Sequence, residues 1–130
     1  MSRAYTLATV AVALNVEPKW LDNILTHHHV RGVPRKRQGN PRRFTGEPVL
    51  ILQIALNLTQ SFGIPTSRTL SLAQQLIDGG GSLVGSNGVL LSCDLAVIQR
   101  AISERLDAAV EVVPLPRRGR PPRNKTGRLD

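Results

Sequence analysis

Cysteine, aromatic residues and acids are all scarce in this chain, and no apolar run is long. The single cysteine, Cys93, excludes an intramolecular disulfide and points to a reducing compartment. A small, half-buried hydrophobe is the reading of that thiol. Tyr5, Trp20, Phe44 and Phe62 are the only aromatics. They are too few for a single-strand binder built on stacked bases. The apolar stretch Val49–Leu58 is interrupted by Gln53 and Asn57 and falls well short of the ~20 residues of a membrane span. Arg3 followed by Leu7–Leu14, with Ala11-Val12-Ala13 behind it, imitates a short signal peptide. The same run makes a good first helix, so a cytoplasmic protein is expected.

Acids number 9 against 17 basic residues, for a formal net charge of +8. The distribution says more than the total. Residues 31–43 hold Arg31, Arg35, Lys36, Arg37, Arg42 and Arg43 without an acid. Residues 116–130 hold Arg117, Arg118, Arg120, Arg123, Lys125 and Arg128 against Asp130 alone. The remainder carries five basic and eight acidic residues, so the body is slightly negative. Positive charge gathered into two segments is what a polyanion binder needs.

The pattern between those segments is mostly helical. Thr6 can cap a helix over Leu7–Leu14, where Leu7, Val10, Ala11 and Leu14 share a face. Asn15 tolerates the left-handed conformation that stops it. Glu17-Pro18 opens a second helix buried through Leu21, Ile24 and Leu25. Val30–Phe44 loses the helical period. Its glycines, prolines and the turn signal Gln38-Gly39-Asn40-Pro41 predict a basic β-hairpin, or wing.

Thr45 can cap a third helix whose wide apolar surface (Val49, Ile51, Leu52, Ala55, Leu56) marks it as central. Ser67 is expected to cap a fourth, with Leu70, Ala73, Gln74 and Ile77 along one side and Gly79-Gly80-Gly81 as its stop. Ser82-Leu83-Val84 and Val89-Leu90-Leu91-Ser92 flank an Asn-Gly turn and read as a hairpin. Asp94 can cap a fifth helix to about Ala109, and Glu111–Leu115 reads as a short strand. Beyond Pro116 the composition predicts disorder without a partner.

Three features have bland explanations. Adjacent residues on a helix point about 100° apart, so His27-His28-His29 does not chelate as an i, i+4 pair would. The glycine-rich stretches at 79–82 and 85–88 lack a following Gly-Lys-Ser/Thr and open no βαβ unit. Cys93-Asp94 has no histidine in its half of the chain. With no acid/base pair in a plausible cleft, we expect a non-enzyme without metal or cofactor.

The tail segment Pro116-Arg117-Arg118-Gly119-Arg120-Pro121-Pro122-Arg123 is acid-free and resists both helix and sheet. It resembles the AT-hook, whose core is Arg-Gly-Arg-Pro, and so implies arginines laid in the narrow minor groove of A·T-rich DNA. Upstream, Tyr5-Thr6-Leu7-Ala8-Thr9-Val10-Ala11 and Leu14-Asn15-Val16-Glu17-Pro18-Lys19-Trp20-Leu21 resemble the opening of the MerR family of bacterial regulators. Gly39-Asn40-Pro41-Arg42-Arg43-Phe44-Thr45 is similar to that family's wing exit, and Phe62-Gly63-Ile64-Pro65-Thr66 to its link into the fourth helix. Asp22-Asn23-Ile24 and Pro41 depart from the family pattern.

The resemblance, over roughly residues 4–78, implies that helix Pro18–Thr26 enters the major groove while the wing contacts phosphate. Lys19, Trp20 and Asn23 are then candidate contacts on the helix. Arg31, Arg35, Lys36, Arg37, Arg42 and Arg43 are candidates in the wing, and Arg117, Arg118, Gly119, Arg120, Pro121 and Arg123 in the tail. Asp22 is expected to orient Lys19 or a wing arginine.

The expected architecture is mainly α. A MerR-like winged helix-turn-helix (residues 1–80) precedes a hairpin–helix unit (81–115) and a disordered AT-hook-like tail (116–130). The hairpin–helix unit either dimerises through Ile98, Ile102 and Leu106 or covers the domain's own core. Pairing of half-sites favours a homodimer. The function expected is sequence-selective binding of double-stranded DNA, as a nucleoid-associated transcriptional regulator of bacterial or phage type. The alternatives are a nucleoid-type architectural protein for A·T-rich DNA, and an antitoxin or excision accessory factor with a protein partner on 82–115.

Overall fold

A computed structural model describes residues 4–33 and 43–113. The wing tip and the basic tail, with Arg35, Lys36, Arg37, Arg42, Arg117, Arg118, Gly119, Arg120, Pro121 and Arg123, lie outside the described residues. Among the described residues are five α-helices and one two-stranded antiparallel sheet. The helices are α1 (Leu7–Leu14), α2 (Pro18–His27), α3 (Gly46–Phe62), α4 (Thr66–Asp78) and α5 (Leu95–Val112). The strands β1 (Ser82–Val84) and β2 (Leu90–Ser92) lie between α4 and α5.

Local chemistry sets the helix ends. The Thr6 hydroxyl accepts the Thr9 N–H at 3.2 Å, which satisfies a donor the first turn of α1 would leave open. Asn15 stands at φ 60°, ψ 48°, and Val16 donates back to the Ala11 carbonyl at 3.0 Å. That left-handed residue reverses the chain into α2, whose first residue is Pro18. Asp94 caps α5 by accepting the Val97 N–H at 3.2 Å.

Helix α3 is the centre, as its broad apolar surface predicts. It packs against α1, α4 and α5 and buries nine of its 17 residues. Val49, Ile51, Leu52 and Ile54 are almost wholly enclosed. Each such side chain contributes about 1.5–3 kcal/mol on leaving water. Gln53 is buried among them at 6% exposure, satisfied by a bond to Asn57 Oδ1 at 2.9 Å and by one from Arg105 at 2.8 Å.

Four expectations are corrected. Ser67 is not the cap of α4; the Pro65 carbonyl already accepts from Arg68 and Thr69, so the helix begins at Thr66. Its buried face is Thr69, Leu70, Ala73 and Leu76, with Ile77 on the flank. Glu111 and Val112 extend α5 rather than forming a strand, because the Val113 N–H still finds the Ala109 carbonyl at 2.8 Å. Thr45 precedes α3 without a side-chain capping bond.

Helix α5 lies across α1 and α3 and buries Ile102, Leu106 and Ala109 in the common core. Of the two roles open to that unit, covering the domain's own core is the one observed for these side chains. Ile98 is only partly buried against the same core.

Candidate nucleic-acid interface

Helix α2 presents a polar face. Lys19 and Asn23 are exposed and one turn apart, so they project side by side. Thr26 and His27 continue the exposed strip toward the helix end. The His27 Nδ1 donates to the Asn23 carbonyl at 2.9 Å, folding the ring back along the preceding turn. The Thr26 hydroxyl likewise donates one turn back, to the Asp22 carbonyl at 2.8 Å. Among the described residues no group of three or more histidines, cysteines or acids is placed to hold a metal.

The opposite face of α2 is apolar and fixes the helix. Leu21 is fully buried, and the half-buried Trp20 and Ile24 line a crevice together with Leu52, Ala55, Leu56, Thr59, Thr66 and Leu70. Trp20 lies on the flank of α2 between the exposed strip and the buried face, packed partly against the core and facing residues of α3 and α4. The sequence groups it with the contact residues; the structure gives it a packing role.

The segment after α2 leaves through a tight turn. The Val33 N–H donates to the Val30 carbonyl at 3.0 Å, with Gly32 at φ 89°. Positive φ at the third position of such a turn is the province of glycine. A Cβ at Gly32 would also stand 2.8 Å from Pro48 Cγ at the start of α3. Val30 and Val33 are buried, so the departure point is held in the core.

Arg31, between them, turns outward onto acids. Its two terminal nitrogens meet the Asp78 carboxylate at 2.9 and 3.0 Å, a bidentate pairing, and Nε lies 3.3 Å from Glu47 Oε1. The hydrogen-bonded guanidinium holds the Asp78 carboxyl below its ordinary value. Arg31 thus ties the loop after α2 to the first turn of α3 and the last residue of α4. Its charge is engaged within the protein, whereas the sequence places it among the DNA contacts.

The return point is equally fixed. Tyr5 and Phe44 form an isolated antiparallel bridge, with N–H to carbonyl distances of 2.8 and 3.0 Å in the two directions. Phe44 is fully buried, while Arg43 beside it is exposed. Residues 34–42 therefore leave from one anchored point and return to another. Sequence reasoning missed this frame. Gly32 in a basic run was its one local signal, while Glu47, Asp78 and the Tyr5–Phe44 pairing gave none.

Compared with protein-family models, curated proteins and solved structures, the chain has no match. No helix among the described residues is long and apolar enough to cross a membrane.

Proposed function

We propose that this chain binds double-stranded DNA with sequence selectivity and serves as a transcriptional regulator of bacterial or phage type. In this reading residues 4–78 form a MerR-like winged helix-turn-helix. Helix α2 enters the major groove, where Asn23 can read a purine edge and Lys19 a base or phosphate. The wing, rich in Arg35, Lys36, Arg37, Arg42 and Arg43, meets phosphate. The tail follows the minor groove and raises affinity by being tethered nearby.

One arrangement carries the proposal. The exposed Lys19–Asn23 face lies on the helix immediately before a basic segment whose two ends are both anchored, by the Val30–Val33 turn and by the Tyr5–Phe44 bridge. Anchoring limits the conformational entropy lost when the cations engage a duplex.

The decisive experiment measures duplex binding against salt for the full chain, for a variant carrying Arg42→Glu with Arg43→Glu, and for a chain lacking residues 116–130. Reversing the two arginines is expected to weaken binding by about tenfold or more at low salt. Removing the tail should weaken binding to A·T-flanked sites and flatten the plot of log affinity against log salt. Association that survives the double reversal on every duplex tested overturns the proposal. An unchanged salt slope removes the tail from the DNA.

A further inference from the structure

From Gly79 to Cys93 the chain carries no charged residue, although its net charge is +8. That stretch contains the β1–β2 hairpin. Val84 and Leu90 are cross-strand partners on its outer face, exposed to 77% and 61%, and Val89 in the loop is 64% exposed. The hairpin is a fixed arm. Gly81 donates to the Leu76 carbonyl at 2.7 Å and accepts the Cys93 N–H at 2.8 Å, and Leu83 and Leu91 pack inward against the core.

The phase of the ladder identifies an open edge. Gly85 donates to Val89 and Cys93 donates to Gly81, which mark bonded pairs at both ends of the hairpin. Pairs alternate along an antiparallel ladder, so Leu83–Leu91 is bonded, whereas Val84–Leu90 and Ser82–Ser92 are not. The backbone N–H and C=O groups of Leu90 and Ser92 consequently point away from β1. On the other side β1 runs beside α4, and the Ser82 N–H turns to the Gly79 carbonyl at 3.4 Å. Strand β2 has none of the usual edge protections: no proline, no lysine and no inward charge.

We propose that β2 is a self-association edge that pairs with β2 of a second copy about a two-fold axis. With Leu91 opposite its own counterpart, each Leu90 faces Ser92 of the other copy. Both such pairs fall in the bonded phase, so the outward donors and acceptors match without remainder. The product is a four-stranded sheet with the Val84 and Leu90 side chains of both copies on one strip. A second copy is the occupant because the edge is complementary to itself. The uncharged stretch also places no like charges opposite each other when two strongly cationic chains meet there. The proposal is independent of the DNA reading and is tested without nucleic acid.

Sedimentation equilibrium of the full chain should show a reversible monomer–dimer equilibrium. Combining Leu90→Lys with Ser92→Lys places like charges opposite each other and should raise the dissociation constant about tenfold or more. Combining Leu90→Glu with Ser92→Glu should do the same, and an equimolar mixture of the two variants should recover the dimer. In the unaltered chain, amide exchange at Leu90 and Ser92 should slow as protein concentration rises. This last measurement decides the matter should either variant fail to fold. A chain that stays monomeric at every concentration, because the edge is unused or because it awaits an extended strand of another protein, overturns the proposal. So does a lysine variant that dimerises like the parent, a mixture that does not recover the dimer, or exchange that ignores concentration.

Discussion

Arg31 grips Asp78 with both prongs of its guanidinium, across 47 positions of sequence. The contact joins the start of the basic segment to the end of the helix that leads into the hairpin. Because the folded state lowers the Asp78 pKa, the pairing stabilises the fold when the carboxyl is ionised in both states. That contribution is complete above the ordinary carboxylate range, roughly pH 4, and is lost as the pH falls through the lowered value of the folded protein. Melting curves of the parent and Asp78→Asn should differ modestly at neutral pH, as expected for an exposed pair, and converge in acid. A gap that stays constant with pH would assign the effect to packing.

Gly32 and Gly63 both have positive φ, at 89° and 72°. Only Gly32 has a neighbour in the way, since a Cβ there would meet the fully buried Pro48. Gly63→Ala should cost about 1–2 kcal/mol, the penalty of a left-handed backbone. Gly32→Ala should cost more, because strain and displacement of Pro48 add to that penalty. Denaturant titration of the two variants gives the comparison directly.

The faces of α2 predict opposite phenotypes. Asn23→Ala and Lys19→Ala should leave stability nearly unchanged, because both side chains are exposed. If Asn23 reads a base, its loss should reduce discrimination by about 1–3 kcal/mol at one position of the site. If Lys19 contacts phosphate, its removal should lower the salt slope by about 1 across all sequences. Trp20→Ala should instead unfold the chain at lower denaturant, short of the roughly 3–5 kcal/mol of a wholly buried ring. Unfolding curves and binding isotherms on the same samples separate the two classes.

The helices were legible wherever a local signal fixed them. Thr6 and Asn15 bracket α1, Pro18 opens α2, Gly63 closes α3 and Asp94 caps α5, each through contacts within about five residues. Boundaries failed where backbone alone did the capping, as at Pro65, or where a valine of the continuing helix imitated a strand, as at Val112. Lys19, Trp20 and Asn23 were named together through the family resemblance, and nothing local told that Trp20 packs against the core while Lys19 and Asn23 stay exposed. Neighbouring positions on a helix diverge, and which of them turns inward depends on α3 and α4.

By itself the sequence determined the helical content, the turns that need asparagine or glycine, and the gathering of positive charge into two segments. Those properties are set by backbone conformation and composition, which act over a few residues. Tertiary structure alone decided that α5 seals its own core, that Arg31 is spent on Asp78 and Glu47, and that Tyr5 clamps Phe44. Each joins residues far apart in the chain. Such partners are selected by the packing of the whole core, which no local pattern encodes.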